Sequence, residues 1–393
     1  MENGVVIAGI ARTPMGGMQG VFTNITAPKL GAAAIKAALE RSGIKPEAVD
    51  ETIMGVVLPA GLGQAPARQA SIDAGLPLAT GCTTINKMCG SGMKAVMQGH
   101  DAIIAGSSNV VVAGGMENMT NAPYLLPKAR GGMRLGHGEV LDHMFFDGLE
   151  DAYERGRLMG TYAEDCARKY GFSREAQDEY AIASLMRAQS AIKNGEFKAE
   201  IVPVTVRDGR SEVVVDTDEQ PGKAKLDKIP QLKPAFAKDG TVTAANSSSI
   251  SDGAAAVILT SAAHAKTLGA KPLARILGHS THAQEPGWFT TAPVSAIGKL
   301  MKRVGWSVGD VDLFEVNEAF AVVAMAAMKE LSIPHDKLNV RGGACALGHP
   351  VGASGARIIV TLIHALRDRG QKRGIASLCI GGGEATAVAL ELL

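Results

Sequence analysis

Apolar residues fall in two spacings along the chain, short continuous runs and helical repeats, and the two alternate. Residues 5–10 (Val-Val-Ile-Ala-Gly-Ile) form a run of strand length. Residues 29–42 carry apolar side chains at helical spacing and stop at Gly43, a helix-ending signal. The run 110–113 is wholly apolar and bounded by Gly114-Gly115, as expected of a central strand with both faces covered. Residues 254–260 and 385–390 are further apolar strands, and a helix is predicted over 173–194 with Ser173 as its N-cap. Segment 121–143 is rich in Gly and Pro and is expected to be an extended loop. The charged stretches 213–220 and 223–228 are expected to be exposed. Strands alternating with helices predict an α/β protein with mixed sheets covered by helices.

The pattern repeats. Leu39-Glu40-Arg41-Ser42-Gly43 followed by Val49-Asp50 resembles Met301-Lys302-Arg303-Val304-Gly305 followed by Val311-Asp312, a shift of 262 residues. Gly90-Ser91-Gly92 matches Ala353-Ser354-Gly355 at a shift of 263, and 110–115 matches 377–382 at a shift of 267. Matches in the same order with the same predicted elements point to a duplication. In the second copy the Gly run passes directly into the strand at 385. In the first, the matching strand at 254 comes only after about 135 more residues. The chain therefore divides into a first half (1–118 plus 251–270), an inserted domain (119–250) and a second half (271–393).

Composition narrows the function. With 46% apolar residues and a net charge of +1, the chain is neither disordered nor a nucleic-acid binder by bulk charge. The 47 glycines and only 2 Trp, 5 Tyr and 9 Phe suit close packing of helices on sheets. The five cysteines lack a C-x-x-C pair, so neither a disulfide framework nor a zinc site is expected. The longest apolar run, 319–328, is too short to span a bilayer. No secretory signal is expected in the first residues, and no peroxisomal signal in the last three. The expected location is cytoplasmic, without membrane attachment.

Four segments carry candidate chemistry. Cys89 lies in Met88-Cys89-Gly90-Ser91-Gly92, just before a helical pattern. A helix N-terminus favours thiolate, and flanking glycines let a substrate approach; a buried structural thiol is the alternative. Residues 342–355 form a Gly-rich loop containing His349 and opening a helix. In the internal alignment Cys89 falls opposite Gly352, so the pseudo-symmetry brings His349 toward Cys89 if the two helix ends face each other. A Cys–His pair is a common way to activate a thiol. No Gly-Lys-Ser/Thr follows, so this is not a phosphate loop. Cys379 ends an apolar strand at a Gly run, and Asn317-Glu318 follows another strand, either functional or helix-capping. Cys82, Cys166 and Cys345 take a structural reading.

Together, Met88-Cys89-Gly90-Ser91-Gly92, Asn317-Glu318-Ala319-Phe320, Gly348-His349-Pro350-Val351-Gly352 and Cys379-Ile380-Gly381-Gly382-Gly383 resemble the four active-site blocks of the thiolase family, in order and spacing. The likeness extends over essentially the whole chain and is strongest to the short-chain branch. The resemblance implies two βαβαβαββ halves with a loop domain in the first, and a homotetramer built as a dimer of dimers. It implies condensation of two acetyl-CoA to acetoacetyl-CoA and CoA, and the reverse, through an acetyl-Cys89 intermediate. His349 would activate Cys89, Cys379 would be the second acid–base, Asn317 would hold a water for the enolate oxygen, and Cys89 and Gly381 N–H would form an oxyanion hole. Met159, Ser248, Phe289, Phe320 and Lys223 would contact substrate or CoA. No metal and no cofactor are implied. Two stretches depart from the pattern: Leu158 stands where many short-chain members have His, and Gln220-Pro221-Gly222-Lys223 is shorter, lacks the usual aromatic and carries Lys223 near the usual Arg. The competing readings are a degradative 3-ketoacyl-CoA thiolase of broad chain length, a ketoacyl synthase (which lacks the second Cys) and a non-catalytic binder.

Overall fold

A computed structural model describes residues 4–209 and 211–393. The first half runs β1 (Val5–Arg12), α1 (Ala27–Ser42), β2 (Glu51–Gly55), α2 (Pro66–Asp73), β3 (Gly81–Ile85), α3 (Ser91–Ala105), β4 (Val110–Asn118) and, after the long excursion, β5 (Ser251–Ser261). The second runs β6 (Ala274–Ala283), α4 (Ala292–Val304), β7 (Leu313–Val316), α5 (Ala321–Leu331), α6 (Ser354–Asp368), β8 (Arg373–Ile380) and β9 (Glu384–Leu392). Strand order is β7-β8-β9-β6-β1-β5-β4-β2-β3, so the halves join through their first strands, antiparallel at Val6–Arg275 and Ile7–Ala274. The βαβαβαββ pattern is complete in the first half. In the second, the strand matching β3 is reduced to one parallel bridge, Phe314 to Leu338.

Alternation along the strands sorts the core into layers. In β4, Val110 and Val112 face α1, where Leu30, Ile35 and Leu39 are buried, while Val111 and Ala113 face the centre. In the second half, Phe314, Val316 and Ile375 pack against α4 and α5, while Leu378, Val388 and Leu390 face the centre. Between the two halves of the sheet lie α3 and α6, whose Met93, Val96, Met97, Ile358, Ile359 and Leu362 belong to one cluster. Both helices touch strands of both halves, so most of their side chains are buried, although α3 turns Asp101 out to solvent.

Residues 119–250 leave β4 and return at β5, its antiparallel neighbour. They hold helices Met159–Tyr170 and Arg174–Lys193, the latter capped by Ser173, whose Oγ accepts the Ala176 N–H at 3.2 Å. Segment 121–143 is mostly irregular, with a two-residue pairing of Tyr124–Leu125 and Leu141–Asp142. The expectation that 213–220 is exposed throughout is corrected by Asp218. Its carboxylate is buried and accepts two bonds from the buried Arg12 guanidinium, at 2.7 and 2.9 Å, because Arg12 needs an anion at that depth.

Candidate active site

The turn before α3 presents Cys89. Met88 adopts φ +47°, a strained conformation for a side chain of its size. Ser91 holds the turn: its Oγ donates to Met88 O at 2.6 Å and accepts the Lys87 N–H at 2.8 Å. Across the central layer, the loop before α6 presents His349. Ser354 Oγ donates to Pro350 O at 2.9 Å and lies 2.6 Å from His349 Nδ1. With its single proton on Pro350, Ser354 accepts from Nδ1, which leaves Nε2 as the imidazole's acceptor. Glu117 ties this loop to the first half. Its carboxylate accepts Val57 N–H and Gly352 N–H at 2.9 Å each and Leu58 N–H at 3.1 Å. Burial nevertheless pushes that carboxyl up to about 7.

One cavity of about 360 Å³ is lined by Cys89, His349, Cys379 and Gly381 together with Met159, Ser248, Phe289 and Phe320. Asn317 stands behind it, with Nδ2 at 3.4 Å from His349 Nδ1 and 3.5 Å from Nε2. The wall is aromatic: Phe289 lies edge-on to Tyr162 at 6.3 Å and tilted against Phe320 at 6.4 Å, and Phe236 meets Phe320 edge-on at 6.0 Å. Ser248 N–H donates to Ala319 O at 2.9 Å, which binds the returning insertion to the Asn317–Phe320 segment. The carboxylate of Glu318 is also enclosed, accepting from Tyr180 Oη, Ser184 Oγ, Asn339 Nδ2 and Cys345 N–H at 2.7–3.1 Å.

Electrostatics at the site correct one expectation. Burial pushes the Cys89 thiol up to about 11, although the N–H groups of Gly381 and of Cys89 itself pull the other way. The desolvation cost of the thiolate outweighs the helix end. Burial, with the positive charge of Arg357 second, brings His349 down to about 3. The resting pair is thus thiol and neutral imidazole. Cys379 is pushed well above the ordinary thiol range by burial and then by the neighbouring Cys89.

Lys223 is not brought to this cavity. It lies exposed on the turn Glu219–Lys223 and pairs with Glu219 at 2.5 Å. Lys225 and Lys228 instead line an adjoining cavity of about 230 Å³, which shares Ala244 and Ser249 with the first. Phe145, Leu149, Phe236 and Ile250 are wall residues that sequence reasoning missed. Phe145 and Leu149 come from the short π-helical turn Phe145–Leu149 and the other two from irregular stretches of the insertion, where no extended periodicity marks an inward face.

Two halves of one duplicated α/β fold, with a thiol on one central helix end and a histidine on the other, define the class. The N-terminal domain model of thiolases matches residues 5–263 and the C-terminal domain model matches 270–392. The chain belongs to the thiolase family. It is 52% identical to a probable acetyl-CoA acetyltransferase of Dictyostelium discoideum, over 99% of this chain and 94% of that protein. It is 51% identical to an acetyl-CoA acetyltransferase of Cupriavidus necator, over 98% of this chain and 99% of that one. Among solved structures, the acetyl-CoA acetyltransferase of Bacillus anthracis superposes with a TM-score of 0.96 at 43% identity, covering 99% of both chains. A thiolase of Ascaris suum in complex with coenzyme A superposes with a TM-score of 0.94 at 44% identity, covering 99% of this chain and all of that one.

Proposed function

We propose that this chain is an acetyl-CoA C-acetyltransferase, condensing two acetyl-CoA to acetoacetyl-CoA and CoA and catalysing the reverse thiolysis. The observation that carries the reading is the convergence of two thiols, a neutral imidazole and the Gly381 N–H on one small, aromatic-walled cavity. Cys89 Sγ attacks the thioester carbonyl as its proton passes to His349 Nε2. The N–H groups of Cys89 and Gly381 meet the tetrahedral oxyanion, and CoA leaves with the proton of Cys379. Cys379, now thiolate, removes an α-proton from a second acetyl-CoA. The enolate oxygen is met by the protonated Nε2 of His349 and by a water held on Asn317, and its carbon attacks the acetyl group. The Cys89 thiolate leaves and recovers its proton from His349, so the cycle closes without a cofactor or metal. Losing one oxyanion donor typically costs ~100–1,000-fold in rate.

Chain length follows from the walls. Phe289 is buried and fills volume that a longer acyl tail needs, and such overpacking typically costs ~1–3 kcal/mol. Met159 supplies a flexible second wall, and Leu158 an apolar one. The names of the relatives agree with the short-chain reading and do not favour the broad degradative one. The CoA moiety is assigned to Ser248 and to the adjoining cavity, where Lys225 and Lys228 rather than Lys223 would face its phosphates. The division into two halves and an inserted CoA-binding domain at 119–250 belongs to the same proposal. So does a homotetramer contacted through 121–143, where Tyr124, Leu126 and Leu135 are exposed. A cytoplasmic setting in lipid metabolism suits the five unpaired thiols; among the described residues no helix is long and apolar enough to cross a membrane.

The test is kcat/KM for thiolysis of 3-ketoacyl-CoAs of rising chain length. Acetoacetyl-CoA is expected to be best, with a steep fall by eight carbons. Equal values for four and sixteen carbons would replace this reading by the broad one.

A further inference from the structure

The first turn of α6 touches both groups that face the enolate oxygen. Ser354 holds His349 Nδ1 at 2.6 Å. Three residues on, and so on the same side of the helix, Arg357 Nη2 donates to Asn317 Oδ1 at 3.4 Å. Glu315 stands two residues before Asn317 at the end of β7, and its Oε2 lies 3.8 Å from Arg357 Nη1. Arg357, Glu315 and Asn317 are all buried. Nε and Nη1 of Arg357 have no hydrogen-bond partner among the described residues, so the bond to Asn317 is the one that orients this guanidinium.

A guanidinium has donors only. The Asn317 atom facing it must therefore be the carbonyl oxygen, and the amide nitrogen is left to face His349, at 3.4–3.5 Å. Resting on the acetyl-transfer reading above, we propose that Arg357 is a positioning residue for the carbon–carbon bond-forming step, locking the Asn317 amide with its oxygen inward and its nitrogen toward His349. With the guanidinium gone, the amide is free to rotate by half a turn, which replaces the N–H donor that holds the water at the enolate oxygen by an acceptor. The carbon–carbon step depends on that donor; attack of Cys89 on the first thioester uses the N–H groups of Cys89 and Gly381 instead. The guanidinium also acts on His349, whose low proton affinity owes more to Arg357 than to any other charge. The charged groups around Arg357 are Glu315, Glu200 and Glu318, which favour its charge, and Arg12, which opposes it.

The experiment compares full-length Arg357→Met and Arg357→Lys with wild type in two half-reactions. These are single-turnover acetylation of Cys89 by acetyl-CoA, and condensation together with solvent deuterium exchange into acetyl-CoA. Arg357→Met is expected to lose about tenfold or more in condensation beyond any loss in acetylation, since misplacing a reacting group by ~1 Å costs ~100-fold. Its pH profile should shift so that the His349-linked limb moves to higher pH. Arg357→Lys, which keeps the charge but not the fork, is expected to show the same selective loss without that shift. In an Asn317→Ala background, Arg357→Lys should cost nothing further in condensation, because Arg357 acts through Asn317. Equal losses in both half-reactions, or full additivity with Asn317→Ala, would overturn the proposal and leave Arg357 a packing residue. If Arg357→Met fails to fold, the Lys variant and the double variant still decide. Wild type that fails to acetylate Cys89 would overturn the acetyl-transfer reading instead.

Discussion

Gly92 and Gly355 meet where the first turns of the two central helices cross. A Cβ on Gly92 would lie 2.9 Å from Ala356 N, and one on Gly355 would lie 2.7 Å from Met93 Cβ. The two glycines occupy equivalent places in the repeat, so the duplication brings its own Gly-Ser-Gly and Ala-Ser-Gly turns face to face. Cys89 and His349 sit just before these turns and therefore arrive on one cavity.

Gly355→Ala is expected to act on stability and activity together. The added methyl meets the backbone of α3, which cannot turn aside as a side-chain tip can. Overpacking of this kind costs ~1–3 kcal/mol. It also pushes the Cys89 turn away from His349. Urea unfolding with acetyl-transfer assays on the same preparation checks this. A variant with an unchanged midpoint and full activity would show that the helix crossing has slack.

The resting state of Cys89 is accessible through pH. With the thiol near 11 and His349 near 3, no ion pair exists at neutral pH. The thiolate fraction then rises about tenfold per pH unit below the thiol's own midpoint. Alkylation of Cys89 by iodoacetamide, followed from pH 6 to 9, should climb on that slope without a plateau. A plateau with a midpoint near 7 would mean a preformed thiolate–imidazolium pair.

Cys379→Ser separates the two thiols. Cys379 is buried and close to Cys89, and a serine fits its space. The variant should still take acetyl on Cys89 but exchange solvent deuterium into acetyl-CoA far more slowly, since an alcohol is a much poorer base than a thiolate under these conditions. Exchange at the wild-type rate would remove Cys379 from proton abstraction.

The parts of the molecule legible in its sequence are those where fold and chemistry share a short segment. The apolar runs at 110–113 and 385–390 are strands, Ser173 is the predicted cap, and the repeat marks where the excursion between β4 and β5 begins. Cys89, His349 and Cys379 each sit at the end of an element beside glycine, a local signature. Other features depend on partners far away in the chain. Asp218 looks like a surface charge until Arg12, some 200 residues earlier, is buried against it. Phe236 becomes a cavity wall only because the insertion folds back on Phe320. The ionisation of Cys89 cannot be read from the helix end alone, since that is a local property and desolvation belongs to the assembled core.

The central claim is that Cys89 carries the acyl group, and peptide mapping by mass spectrometry after brief incubation with acetyl-CoA tests it most directly. The expected result is a single acetyl group on the peptide containing Cys89, absent in Cys89→Ala and released when CoA is added. An acetyl group on Cys345 or Cys379, or unchanged labelling in Cys89→Ala, would contradict it.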